Sequence, residues 1–269
     1  MRAAVPGYPS CGKHSGGARL HPGETLRGGR LRVVRRLGEG GMGLVFEAFD
    51  EERNGLVALK TITNLDPEGL YRFKNEFRSL ADVSHGNLCR LHELFSDASD
   101  WFFTMELVEG EPFDCYVRPD GKLHAARLRS ALWQLCEGVQ AVHQGGLLHR
   151  DLKPSNVLVT EQGRVVVLDF GLITDREQGG VGETLSDGVL SGTPSYMAPE
   201  QVTAGPASTA SDVYAMGVML FEALTGRLPF EGPLARVFAA KLDDNAPRAS
   251  DGSARVPAAL DALCAAMLA

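Results

Sequence analysis

One stretch constrains this chain more than any other: His149-Arg150-Asp151-Leu152-Lys153-Pro154-Ser155-Asn156. It places a carboxylate, a lysine two residues on and an amide five residues on in one short run. Asp169-Phe170-Gly171 follows 18 residues after Asp151. Such a loop suits a base beside a hydroxyl, a cation beside a phosphoryl group and an oxygen ligand for a hard metal ion. The plain alternative, a polar loop followed by the end of a strand, does not require these residue types in this order.

The scaffold around that loop reads as two unlike halves. At about 150 residues per domain, 269 residues make one large domain or two small ones. Residues 1–30 are rich in Gly, Pro and basic residues without periodicity and read as a flexible leader. Cys11, His14 and His21 lie there, but one cysteine without a second ligand pair is a poor metal site. From Leu31 the pattern changes. Leu31–Leu37, Leu44–Phe49, Leu56–Ile62, Leu91–Phe95 and Trp101–Val108 read as strands, with Asn54-Gly55 as a hairpin signal. Pro67 opens a helix behind a candidate cap at Asp66, and Leu70, Phe73, Phe77 and Leu80 share one face. After Gly110 the chain is mainly helical. Leu128, Leu132, Leu135, Val139 and Val142 mark an amphipathic helix stopped at Gly145-Gly146. Two short strands follow, at Val157–Val159 and Val165–Leu168. Residues 172–198 have no period, as in a functional loop. Asp212–Thr225 is apolar nearly all round, which predicts a buried helix capped by Ser211 and stopped by Gly226.

Between the first two strands lies Gly38-Glu39-Gly40-Gly41-Met42-Gly43-Leu44-Val45. Glycines there let backbone N–H groups approach a phosphate. Alone this is a weak signal that any glycine-rich hairpin would share, and no Gly-Lys-Ser/Thr or helix follows as in a P-loop. The next strand carries Val57-Ala58-Leu59-Lys60, a lysine in an apolar run. The two signals in order are much stronger than either one.

Taken together, the chain resembles the eukaryotic-type protein kinases, and most of all the bacterial Ser/Thr kinases. The likeness runs from about Leu31 to the end and includes Ala198-Pro199-Glu200 and Ser211-Asp212-Val213-Tyr214-Ala215-Met216-Gly217. It implies an α+β, bilobal fold with a β-rich N-lobe over about 31–107 and a mainly helical C-lobe over about 108–269. It also implies a set of roles. ATP would lie under Leu37, Gly38, Glu39, Gly40, Gly41, Met42, Gly43, Leu44 and Val45. Lys60 would hold the α- and β-phosphates, with Glu76 as its ion-pair partner. Asp151 would accept the hydroxyl proton, and Lys153 would sit near the transferred group. Asn156 and Asp169 would bind Mg²⁺, or Mn²⁺ in its place. Val45 and Ala58 would roof the adenine pocket and Leu158 would floor it, with Met105 as gatekeeper and Glu106 to Val108 as hinge. Lys153, with Thr193 placed to contact it and Asp151, favours Ser/Thr over Tyr acceptors. Arg150 beside Asp151 implies switching by phosphorylation of the 172–198 segment, with Thr184 and Ser186 the preferred acceptors, reached between two associated copies.

The same resemblance implies a final helix with an arginine partner for Glu200, which this sequence does not carry. The expectation is a shortened domain, in which an unpaired buried carboxylate costs about 3–5 kcal/mol. A kinase-fold binding module without turnover is therefore the competing expectation. The presence of Lys60, Asp151, Asn156 and Asp169 favours catalysis, and the Gly192-Thr193-Pro194 and Ala198-Pro199-Glu200 segments favour protein over small-molecule acceptors. A net charge of −7 argues against a nucleic-acid surface. Five cysteines without a CxxC pair fit free thiols in the cytoplasm, and no run of 18 apolar residues spans a membrane.

Overall fold

Alternation along Gly55–Ile62 organises the first lobe. Val57 and Leu59 join Leu31, Val33, Phe46, Ala48, Phe95 and Phe102 in one apolar cluster. Ala58 and Ile62 belong to the larger cluster on the other side of the sheet. Lys60 has the parity of the second pair, so a strand's period of two aims it at the same face.

The computed structural model describes residues 20–40, 43–62, 67–98, 100–169, 193–243, 245–252 and 256–269. Strands β1 (Thr25–Leu26), β2 (Leu31–Gly40), β3 (Gly43–Asp50), β4 (Gly55–Ile62), β5 (Leu91–Asp97) and β6 (Asp100–Glu106) form an antiparallel sheet ordered β1-β2-β3-β4-β6-β5. Asn54, with φ 49°, makes the β3–β4 turn as its sequence predicts. The leader expected over 1–30 is corrected at its far end. Thr25 and Leu26 pair with Arg32 and Leu31, and Leu26 is buried. Arg30 then anchors the entry by donating twice to the Asp50 carboxylate, at 3.1 and 3.0 Å. A two-residue strand is too short to show a period, so its sequence carried no signal; residues 1–19 lie outside the described residues.

Helix α1 (Pro67–Ala81) buries Phe73, Phe77 and Leu80, and its candidate cap Asp66 lies outside the described residues. Phe73 and Phe77 meet Phe103 of β6 at ring centroid distances of 6.0 and 5.7 Å. At about 1.5–3 kcal/mol per buried side chain, this face is what holds α1 on the sheet.

In the second lobe β7 (Glu111–Pro112), β8 (Val157–Val159) and β9 (Val165–Val167) form a small antiparallel sheet. Helices α2 (Phe113–Val117) and α3 (Ala125–Gln144) precede β8. The predicted apolar face of α3 is buried, and Gly146 at φ 73° ends the turn after it. After residue 192 come α4 (Thr193–Tyr196), α5 (Pro199–Val202), α6 (Thr209–Thr225), α7 (Leu234–Asp243) and α8 (Ala258–Met267). The lobes are stitched where Cys89 N donates to Val167 O and Val167 N to Asn87 O, both at 2.9 Å.

The start of α6 is a second correction. The cap is Ser208 rather than Ser211: Ser208 Oγ accepts from Ala210 N, and Ser211 Oγ accepts from Ser208 N at 2.8 Å. Ser211 is the reciprocal member of a capping box, a role more often filled by Glu or Gln. Gly226 ends the helix in the left-handed region, as expected. Gly217 is needed for packing, since a Cβ there would lie 2.9 Å from the Met267 Cβ of α8. The buried unpaired Glu200 is also corrected: the residue is only half-buried, and its Oε1 accepts from Ser211 Oγ at 2.5 Å.

Candidate active site

The loop between α3 and β8 is held by a carboxylate from below. Asp212, in the first turn of α6 and 2% exposed, accepts from Arg150 N on Oδ1 and from His149 N on Oδ2, each at 2.8 Å. His143 Nε2 lies 2.8 Å from the same Oδ2. Burial pushes the Asp212 carboxyl up, but hydrogen bonds from His143 and the two backbone N–H groups outweigh it and hold the group below the usual carboxylate range. His149 is fully buried with Nε2 3.0 Å from Leu168 O, and desolvation holds its imidazole below its ordinary value. These contacts stabilise Arg150 in a left-handed conformation at φ 69°. Such a conformation costs a non-glycine residue about 1–3 kcal/mol. A carboxylate in the first turn of a mostly apolar helix is the sequence signal for Asp212, but nothing local pairs it with a loop 62 positions away.

On that anchored loop Asp151 Oδ2 meets Lys153 Nζ at 2.7 Å and Asn156 Nδ2 at 2.9 Å. Asn156 Nδ2 also donates to Asp151 O, and Leu168 N donates to Asn156 O at 2.8 Å. Leu168 precedes Asp169, which has φ 52° and places Oδ2 2.6 Å from Lys60 Nζ. The structure thus brings Lys60, Asp151, Lys153, Asn156 and Asp169 into one connected cluster.

Glu76 requires a correction. The buried Lys60 ammonium takes Asp169 as its counter-ion, while Glu76 Oε1 meets Arg150 Nη1 at 3.5 Å. An ammonium removed from water takes the carboxylate its geometry reaches. Asp169 is presented directly by its left-handed turn, and sequence alone does not rank two nearby carboxylates.

The expected adenine-pocket residues Val45, Ala58, Met105, Val108 and Leu158 are all buried in the larger cluster, with Leu37 packed against it. Glu106 has a further partner: Arg164 Nη1 and Nη2 reach its carboxylate at 2.6 and 3.2 Å. This fork ties the end of β6 to the β8–β9 turn. Gly38, Glu39, Gly40, Gly43 and Leu44 lie on β2 and β3, with Gly40 paired to Gly43. Gly43 has φ 142°, and a Cβ there would run into the Thr61 carbonyl, so only glycine fits. Gly41, Met42, Phe170, Gly171, Thr184 and Ser186 lie outside the described residues, as does the side chain of Thr193.

A divalent ion can be tested against the residues present. Asp169 Oδ1 is buried with no hydrogen-bond partner among the described residues. A carboxylate oxygen so placed is matched to a cation, and Asn156, whose backbone oxygen accepts from Leu168 N, carries a second oxygen donor on the adjoining loop. No group of three or more His, Cys, Asp or Glu side chains converges among the described residues.

A β-rich lobe thus packs against a helical one, with Lys60, Asp169 and the Asp151 loop joined between them. The protein kinase domain family model matches residues 31–262, and the chain belongs to that family. Among curated relatives it is similar to serine/threonine-protein kinase PknA of Mycobacterium tuberculosis strain H37Rv, 37% identical over 227 residues, covering 81% of this chain and 52% of that protein. It is 36% identical over 241 residues to serine/threonine-protein kinase pkn2 of Myxococcus xanthus, covering 87% and 29%. With serine/threonine-protein kinase PrkC of Bacillus subtilis it shares 33% over 237 residues, covering 87% and 36%. The chain spans about half or less of the length of these relatives. All three of these bacterial relatives are named serine/threonine-protein kinases. No helix among the described residues is long and apolar enough to cross a membrane.

Proposed function

We propose that this chain transfers the γ-phosphoryl group of ATP to serine and threonine hydroxyls of proteins. The observation that carries this reading is the continuous set of contacts from Lys60 through Asp169, Leu168 and Asn156 to Asp151 and Lys153. Lys60, on the inner face of β4, holds the phosphates beneath the β2–β3 turn. Lys153 and Asn156 fix Oδ2 of Asp151, which leaves Oδ1 to take the hydroxyl hydrogen and orient the attacking oxygen. Lys153 then faces the charge that builds on the transferred group. Asp169 and Asn156 hold Mg²⁺, with Mn²⁺ suited to the same oxygens. The metal, when bound, offsets phosphate charge. Lys153 also supports Ser/Thr over Tyr acceptors. Transfer between two associated copies onto Thr184 or Ser186 is part of this reading. The free thiols Cys89, Cys115, Cys136 and Cys264 support a cytoplasmic setting.

The metal assignment has its own test. Nucleotide at 100 times its dissociation constant stabilises a fold by about 2.7 kcal/mol. Melting curves with ATP, with and without Mg²⁺, should show a metal-dependent upward shift for the parent chain and none for Asp169→Ala. An equal shift in the variant would put the nucleotide and metal elsewhere.

A further inference from the structure

The guanidinium of Arg164 takes no part in the chemistry above, yet it joins the two walls expected around the base of ATP. Arg164 sits in the β8–β9 turn, where its N donates to Thr160 Oγ1 at 3.2 Å and its O accepts from Thr160 N at 2.9 Å. From that footing its Nε donates to Gly86 O at 2.7 Å, while Nη1 and Nη2 reach Glu106 Oε1 and Oε2 at 2.6 and 3.2 Å. Glu106 ends β6, one residue after Met105, and its N donates to Arg90 O at 2.8 Å. Leu158 lies on β8 of the hairpin that Arg164 closes, and Leu158, Met105 and Val108 are buried in the same cluster. The fork therefore sets the distance between the strand end that carries Met105 and the hairpin that carries Leu158. The Arg164 and Glu106 side chains are 40% and 27% exposed. A pair so wetted adds little to stability, but its planar two-point geometry still fixes orientation.

We propose that Arg164 is a positioning residue for nucleotide, which through Glu106 holds the main chain leaving β6 at the spacing from Leu158 that admits the adenine ring. This rests on the ATP reading above and adds to it a determinant of base affinity carried by the second lobe. The side chain of Arg164 acts on Gly86 and Glu106, on the side of the base rather than the phosphates. Its loss should weaken binding of the base and leave phosphoryl transfer from bound ATP alone.

The test is equilibrium binding to the whole chain, by calorimetry with Mg-ATP and by competition with adenosine, which lacks phosphates and needs no metal. Arg164→Gln removes the charged fork. It should raise Kd for both ligands about tenfold, the worth of one or two charge-assisted hydrogen bonds. At saturating ATP, kcat should change by about twofold at most, and Tm without ligand should fall by about 4 °C at most, as befits an exposed pair. Glu106→Gln should raise the same two constants. The double variant Glu106→Gln/Arg164→Gln should bind no more weakly than either single one, because the two side chains act as a unit. Arg164→Lys, which keeps the charge without the fork, should fall between the parent and Arg164→Gln, and it carries the test where Arg164→Gln does not fold. Unchanged Kd in a folded variant, a rise for ATP without one for adenosine, or additive losses in the double variant would overturn the proposal. So would a larger fall in Tm in both Arg164→Gln and Arg164→Lys, which would make Arg164 a fold element alone. A parent chain that binds neither ligand would instead defeat the ATP reading itself, and one that binds both yet transfers no phosphate would defeat the transfer reading alone.

Discussion

Asp151→Asn is expected to lower kcat by about 10²–10⁴, the range for losing a positioned general base. The fold should survive. Asparagine is isosteric and keeps an oxygen for the contacts of Asn156 Nδ2 and Lys153 Nζ with Oδ2, at 2.9 and 2.7 Å. The amide can orient a hydroxyl but cannot take its proton. KM for ATP should therefore stay near the parent value, because nothing on the nucleotide side of the cluster changes. Stopped-time assays over a range of ATP and acceptor concentrations separate the two parameters. A variant with kcat within threefold of the parent would remove Asp151 from its assigned role.

Asp212→Ala should be the most damaging single change to stability. It leaves the N–H groups of His149 and Arg150 without an acceptor in a buried site, where each orphan costs about 1–3 kcal/mol. Breaking a buried charged network by removing one partner costs about 3–5 kcal/mol. For a domain of this size, each kcal/mol moves Tm by about 2–4 °C, so a fall of about 10 °C or more is expected. The same network gives a pH signature. The folded Asp212 carboxyl lies below its ordinary value. Its stabilising contribution is therefore complete above the unfolded pKa, near 3.9, and is lost as pH falls through the lower folded value. Acid unfolding followed by circular dichroism should show a shallower loss in Asp212→Ala than in the parent below about pH 4. Parallel curves would place the acid sensitivity on other carboxylates.

The sequence was most informative where chemistry is local. Asp151, Lys153 and Asn156 lie within six consecutive positions, and the structure joins them by direct contacts. The inner face of β4 was equally open to reading, because period-two alternation puts Lys60 with Ala58. What stayed hidden depended on long-range choice. Lys60 had two carboxylates within plausible reach, and only the left-handed turn at Asp169 decides between them. Arg164 and Glu106 are 58 positions apart, with nothing local to pair them. Thr25–Leu26 is too short for a pattern. Lys241 shares a helical face with Leu234 and Val237, at spacings that predict burial. A lysine on such a face is easily taken for a surface residue whose stem is covered.

The central claim is phosphoryl transfer to Ser and Thr from the cluster around Asp151. Its most direct test is incubation of the chain with γ-labelled ATP, Mg²⁺ and a protein acceptor, followed by phosphoamino-acid analysis, with Asp151→Asn run in parallel. The account predicts phosphoserine and phosphothreonine from the parent chain, no phosphotyrosine, and label near background from the variant. Label in phosphotyrosine, equal labelling by Asp151→Asn, or no transfer by a folded parent chain that binds Mg-ATP would contradict it.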